Sequence, residues 1–484
     1  MLFLISVVPR EYQTNIARKI LDTRKNTLIV LPTGIGKTLI AALVIEKYLE
    51  NGGKAIFLAP TRPLVFQHSK YLSEVLGVEA IEITGEMKKE KRKELYKKSL
   101  VVSTPQTVKN DLENFGLDFF DFSVVVFDEA HRAVGKYAYT KIAELAREKG
   151  SLIIGLTASP GGKFEKIKEI IDALFIENVE IRTEKEEDVA RYIQPIKIKW
   201  VEVELDYEIK KACEILKKIL EEKKETLKSL GIKISKNRKK LSQLYNSLVS
   251  EKNLVALSHF SSYYNALHSI EILQTQSPYA FEKFFERLKS RKKRIDKKFE
   301  EALKLVKGKE HPKMQKLLEI LKEKNDKKII IFAQYRDQVN YIKEKLEKNG
   351  FRALKLLGKK ESTRKEQKKV IEEFEKSSSI LVCSSVGEEG IDLPSADVVI
   401  FYEPIPSEIR TIQRRGRVGR LKEGEVIILI TKNTLDETFK YVSLARERKM
   451  RKIVYSLKEK KISRKKKEKI KQQKLTDFIE GVAQ

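Results

Sequence analysis

The chain has 484 residues, with 98 Lys+Arg against 69 Asp+Glu, a formal net charge of +29 and a hydrophobic fraction of 41%. At roughly 100–200 residues per domain this is about three domains with cores of their own, and the apolar content excludes a disordered chain. The two cysteines, Cys213 and Cys383, exclude a disulfide framework and a Cys-based zinc site and fit a reducing cytosol.

In chain order, residues 1–8 are apolar but lack a basic flank, so they read as a buried strand rather than a signal peptide. Short runs of β-formers follow at 27–31, 55–59, 100–103, 124–127 and 152–156, separated by helical patterns such as 36–49 and 64–76. That alternation predicts a parallel α/β sheet over 1–195. Residues 196–310 differ: after a strand at 196–205, helical periodicity runs through 207–230, 237–275 and 279–307, with two glycines and one proline in the whole segment. Residues 311–450 return to the α/β pattern, with strands at 328–332, 353–357, 380–383, 398–402 and 425–430. The tail, 451–484, is dominated by Lys and Arg. No run approaches the ~18 uncharged apolar residues of a membrane span, so a soluble, cytoplasmic protein is expected.

The charge is uneven. Residues 1–195 carry a net +2, 196–310 carry +11, 311–445 carry +6 and 446–484 carry +10. A lysine-rich solvated surface would account for the total. The placement favours two polyanion-facing regions attached to near-neutral cores.

Three segments carry chemistry. Leu31-Pro32-Thr33-Gly34-Ile35-Gly36-Lys37-Thr38 sits between a strand and a helix, where glycines let backbone N–H groups face phosphate oxygens. Lys37 would reach the β/γ-phosphates and Thr38 would hold Mg²⁺; Leu31 stands where the strict pattern has Gly. Asp128-Glu129-Ala130-His131 follows a buried strand, with Asp128 suited to Mg²⁺ and Glu129 to activating water. Gln413-Arg-Arg-Gly-Arg417-Val-Gly-Arg420 spreads guanidiniums among glycines, either to stabilise charge on a transferred phosphoryl group or to bind backbone phosphates.

In order, these segments resemble the superfamily 2 helicases, which implies two RecA-like α/β domains with an inserted all-helical domain. Arg10-Glu-Tyr-Gln13 is similar to the adenine-reading motif, so the resemblance implies ATP as the fuel. Ala59-Pro-Thr61-Arg62-Pro63, Thr84-Gly85 and Ser103-Thr104-Pro-Gln-Thr107 resemble strand-binding motifs, as does the Gln334–Tyr335 loop. His131, Thr157, Ser159 and Gln413 fall at positions that couple hydrolysis to strand movement, and Gly390 and Asp392 on the nucleotide side of the second domain. Arg417 and Arg420 would contact the γ-phosphate. A helical insert of this kind resembles the Hef/FANCM branch, whose substrates are forked or branched DNA, with movement expected 3′→5′. Lys239, Lys240, Arg291 and Arg294 are candidates for the insert's grip, although each also fits a solvated helix face.

Hef-type proteins append a nuclease domain with Glu-Arg-Lys-x-x-x-Asp; here Glu447-Arg-Lys449 is followed by Ile453 at the place of the last acid, so no nuclease activity is expected of this chain. The tail then reads as a linker toward such a domain in a longer protein. Within it Gln472, Leu475, Phe478 and Ile479 have the spacing of a sliding-clamp-binding box, with Ile479 in place of the second aromatic; packing back on the domain is the alternative. Two rivals to a fork-acting DNA helicase stay open: a double-stranded-RNA-stimulated ATPase of the Dicer/RIG-I type, and a non-catalytic nucleic-acid-binding scaffold.

Overall fold

The computed structural model describes residues 6–116, 118, 120–158, 161, 164–183, 186–192, 196–358 except 236 and 292–294, 363–377, 380–384, 396–404, 424–446, 448, 449, 452, 453 and 456. Its first unit is a parallel sheet of β1 (Thr27–Val30), β2 (Ala55–Leu58), β3 (Ile81–Ile83), β4 (Leu100–Ser103), β5 (Val124–Phe127), β6 (Leu152–Thr157) and β7 (Asn178–Ile181), in the order β3-β4-β2-β5-β6-β1-β7. Neighbouring residues of each strand bury on opposite faces. Ile29, Phe57, Val102 and Ile154 pack beneath α1 (Glu11–Thr23), α2 (Lys37–Glu50) and α3 (Arg62–Leu76). Leu28, Ile56, Val101 and Ile153 pack against α5 (Pro105–Phe115), α6 (Ala138–Glu148) and α7 (Phe164–Ala173), and the end of α4 (Lys89–Leu95) joins the same layer through Leu95 and Tyr96. A strand covered on both faces must be apolar throughout, which is why these runs do not alternate in sequence. The two strands not expected are β3 and β7: the first is a three-residue edge strand, and the second carries Glu180, buried and paired with Lys19.

After α8 (Glu187–Ala190) the chain enters β8 (Ile196–Val203), and here the division at residue 196 is corrected. β8 does not belong with the insert. It pairs over its full length with β13 (Gly424–Thr431), completing the second sheet with β9 (Ile329–Phe332), β10 (Ala353–Leu356), β11 (Ile380–Cys383) and β12 (Val398–Phe401) in the parallel order β10-β11-β9-β12-β13-β8. Pairing across more than 220 residues leaves no local trace in sequence.

Between β8 and β9 lie α9 (Tyr207–Ser229), α10 (Arg238–Ser250), α11 (Leu254–Thr275), α12 (Pro278–Ser290), α13 (Lys297–Val306) and α14 (Pro312–Glu323). The helix expected across 237–275 is broken at Lys252, which takes φ 53°, and Asn253 caps α11 by accepting the Ala256 N–H. The insert packs on α15 (Arg336–Lys348) and the second sheet. Ser277 Oγ donates to Gln338 Oε1 at 2.6 Å, the Tyr279 and Tyr341 rings stack at 5.1 Å, and Arg287 pairs with Asp337 at 2.7 Å. Deepest of these ties is Lys313, whose ammonium donates to the Thr275 carbonyl and pairs with Asp436 at 2.5 Å, both side chains fully buried. Across the two α/β units, Lys368 on α16 (Arg364–Lys376) lies 6.0 Å from the centre of the Phe66 ring. Among the described residues no helix is long and apolar enough to cross a membrane.

Candidate functional site

The register of the first sheet sets the site. Val30 of β1 lies beside Thr157 of β6, Phe127 of β5 beside Gly155, and Leu58 of β2 beside both Phe127 and Ser103. Every loop that carries a candidate residue in this unit therefore leaves the same edge, the C-terminal one, where open α/β sheets hold ligands.

After β1, the loop winds through Gly34 and Gly36, at φ 81° and 80°, into the N-terminus of α2. Pro32 and Thr33 line the loop half-buried, and Ile35 is buried. The Ile35 carbonyl accepts from the Tyr12 hydroxyl and from Gln13 Nε2, the latter at 3.1 Å. Gln13 Oε1 accepts the Arg10 N–H at 2.8 Å, so one carboxamide both caps α1 and braces the loop. A Cβ at Gly36 would run into Gln13 Nε2 as well as strain the backbone, so only glycine fits. Arg10 itself lies over the Tyr192 ring at 4.5 Å. Lys37 Nζ turns back to the Leu31 and Pro32 carbonyls at 3.3 and 3.2 Å. Burial lowers its pKa, while Glu129 and Asp128 pull it up.

After β5, Asp128 Oδ2 accepts from His68 Nε2 at 3.0 Å. Burial alone would raise the Asp128 carboxyl, but His68, Lys37 and the Glu129 backbone outweigh it and hold the group below the usual carboxylate range. Glu129 sits at φ 49°, in the left-handed region. Strain of this kind at a non-glycine residue costs on the order of 1–3 kcal/mol and persists only where the surroundings enforce it. The Tyr139 hydroxyl supplies part of that, donating to the Asp128 carbonyl at 2.6 Å and the Leu58 carbonyl at 3.2 Å. Glu129 Oε2 lies 3.1 Å from His131 Nδ1, which is 3.4 Å from Thr157 Oγ1, a chain that links the end of β5 to the end of β6.

On the other half of the same edge, Thr61 and Thr104 stand at the N-caps of α3 and α5. Thr104 Oγ1 accepts the Thr107 N–H at 3.4 Å and lies 2.8 Å from Thr107 Oγ1. Arg62 pairs with Glu86, beside Gly85. Beneath them Arg92 and Asp111 form a buried pair, joined by the Tyr96 hydroxyl at 3.0 Å, and Arg92 also holds the Met87 carbonyl. Two helix N-termini on neighbouring strands, with an arginine between them, make a surface suited to successive phosphates.

The family model described as "Type III restriction enzyme, res subunit" matches residues 6–162, and "Helicase conserved C-terminal domain" matches 312–422. The solved Pyrococcus furiosus Hef helicase domain is 39% identical, with a TM-score of 0.68, over 90% of this chain and 98% of its own. The chain belongs to the Hef/FANCM-like branch of the superfamily 2 helicases. Full-length relatives include MJ1505 of Methanocaldococcus jannaschii, named provisionally as an ATP-dependent RNA helicase, at 40% identity over 93% of this chain and 61% of the relative. The ATP-dependent DNA helicase fml1 of Schizosaccharomyces pombe is 30% identical over 88% of this chain and 57% of its own length. The chain thus spans about three fifths of these two relatives.

In the second α/β domain, Gln334 is exposed and its N–H donates to the buried Glu403. Tyr335 stands at the N-cap position of α15, and its ring meets His268 of the insert edge-on at 5.6 Å. In the insert, Lys240 and Arg291 are exposed. Ser159, Gly390, Asp392, Gln413, Arg417, Arg420, Arg294, the Lys239 side chain and the box of Gln472, Leu475, Phe478 and Ile479 lie outside the described residues. His68, Tyr139 and Tyr192 were not marked by sequence. His68 reaches the site from α3, beyond the motif at that helix's N-terminus, and Tyr139 and Tyr192 from segments with no recognisable motif, so no signal in the chain singles them out.

Proposed function

We propose that the chain is an ATP-dependent DNA translocase and helicase, moving 3′→5′, that acts on forked or branched DNA in replication-fork repair or remodelling. The observation that carries this reading is the shared sheet edge: the Lys37 loop, the Asp128–Glu129 pair and the Glu129–His131–Thr157 chain stand beside the α3 and α5 N-termini. The donor set fits a magnesium nucleotide, with loop N–H groups and Lys37 for phosphate oxygens, Thr38 and Asp128 for the cation, and Arg10 and Gln13 on the base side. Magnesium, when bound, neutralises charge on the β/γ oxygens. Glu129 orients the attacking water and takes its proton, and Arg417 and Arg420 stabilise charge on the transferred group. His131 and Thr157, with Ser159 and Gln413, pass the change at Glu129 to the strand-facing half. Thr61, Arg62, Thr104, Gln334 and Tyr335 hold a sugar-phosphate backbone, contacts that carry no sequence code and make binding strongly salt-dependent.

The +11 charge of residues 196–310 supports a grip on duplex near the branch, through Lys239, Lys240, Arg291 and Arg294. The tail box, Gln472 to Ile479, is proposed to engage a sliding clamp in the cytoplasm. ATPase stimulation by forked DNA, linear duplex DNA and double-stranded RNA tests the substrate class. Forked DNA should be strongest; preference for RNA, which the name of the M. jannaschii relative favours, would replace this reading with the RNA-stimulated one. Unchanged turnover in Lys37→Ala would leave only the scaffold.

A further inference from the structure

Phe260, Tyr264 and His268 recur at every fourth residue of α11, so they form one stripe with a step of about 6 Å. Phe260 is buried in the insert's outer core and backs the stripe, its ring 6.3 Å from Tyr264 and 6.3 Å from Tyr245 on α10. Tyr264 and Tyr245 are 44% and 46% exposed, unusually open for rings that border a core. At its other end the stripe reaches the second domain, where His268 meets Tyr335. Arg238, at the start of α10, pairs with Glu271 one turn beyond His268, and Lys240 is exposed two residues further on. From 231 to 252 the chain carries six basic residues against one acid.

Aromatic faces in a row beside cations suit unpaired bases, because every base has a π-face and its backbone carries the complementary charge. We infer that Tyr245 and Tyr264 form a base-stacking path that carries single-stranded nucleic acid from the Tyr335 loop outward across the insert. This rests on the proposed action on DNA and adds the element that holds the bases, which the phosphate-facing helices do not.

The test uses forked DNA with one single-stranded arm, either of thymidines or of abasic residues, and reads affinity by fluorescence anisotropy at fixed salt. The wild-type chain should bind the abasic arm about tenfold more weakly. Tyr264→Phe, which keeps the ring, should retain that preference. The double variant Tyr245→Leu/Tyr264→Leu, shown to be folded by its melting curve, should bind the thymidine arm about tenfold more weakly and lose most of the discrimination. If this variant matches the wild type on both arms, the path is overturned while the helicase reading stands. If no DNA binds the wild type or stimulates its ATPase, both fall.

Discussion

His311 is fully buried at the seam between the insert and the second domain, where it caps α14 with Nδ1 accepting the Lys313 N–H at 3.2 Å. Burial first, and the Lys313 charge second, push its imidazole down to about 3, against the opposing pull of the Gln274 and Leu273 carbonyls. In the unfolded chain the group titrates near its ordinary value of about 6.5. Between these values the unfolded state takes up the proton and the native state does not, so the stability contributed by neutral His311 is present above about pH 6.5 and is lost as pH falls toward 3. Moving from pH 7 to pH 5 takes the protonated-to-neutral ratio of the unfolded histidine from about 0.3 to about 30, which removes about 2 kcal/mol. His311→Asn keeps a side-chain carbonyl able to accept the same N–H and removes the titration. Trp200, the single tryptophan, lies on β8 within the second sheet, so its fluorescence reports this domain. Urea titrations at the two pH values should show the wild type losing about 2 kcal/mol more than the variant, other groups titrating alike in both. Equal losses would mean that His311 is not held neutral, and the seam would have to be more open than its packing indicates.

At the same seam, Lys313→Met leaves Asp436 without its cation and should cost about 3–5 kcal/mol in urea titrations. Lys313→Met/Asp436→Leu should recover most of that, and a single variant as stable as the parent would refute the buried pair. Gly36→Ala should weaken binding of a fluorescent ATP analogue by about tenfold or more, because the left-handed backbone and the Gln13 carboxamide both resist a Cβ; unchanged affinity would separate Gln13 from the loop. Glu129→Gln should lower phosphate release by about 10²–10⁴-fold while ATP still binds; turnover near the parent's would remove Glu129 as the base.

What sequence made legible were features written in one stretch of chain. The runs at 124–127 and 380–383 become β5 and β11, because a strand buried on both faces is apolar at every position. The Gly34–Lys37 turn and Asp128–Glu129 are likewise contiguous, and each sits at a strand end that the same runs announce. Features assembled from distant segments stayed hidden. His68 lies 60 positions from Asp128 and looks like any half-apolar helix residue. β7 begins with Asn and contains an acid that only the structure shows paired. The break at Lys252–Asn253 was present as two polar residues between helical runs, yet periodicity on either side outweighed it.

The altered place of β8 changes what the uneven charge implies. With β8 assigned to the insert, the basic segment would hang between two α/β domains and could follow either. Pairing with β13 on one side, and α14 leading into β9 on the other, tie both ends of the insert to the second domain. Lys313–Thr275, Ser277–Gln338 and the Tyr279–Tyr341 stack then fasten its face. Moving the insert alone would expose a buried ion pair, at several kcal/mol. Moving the second domain with its insert past the first breaks none of these contacts. Any change in the separation of the two sheets carries the insert's cations and its aromatic stripe with the second domain, past the α3 and α5 N-termini of the first.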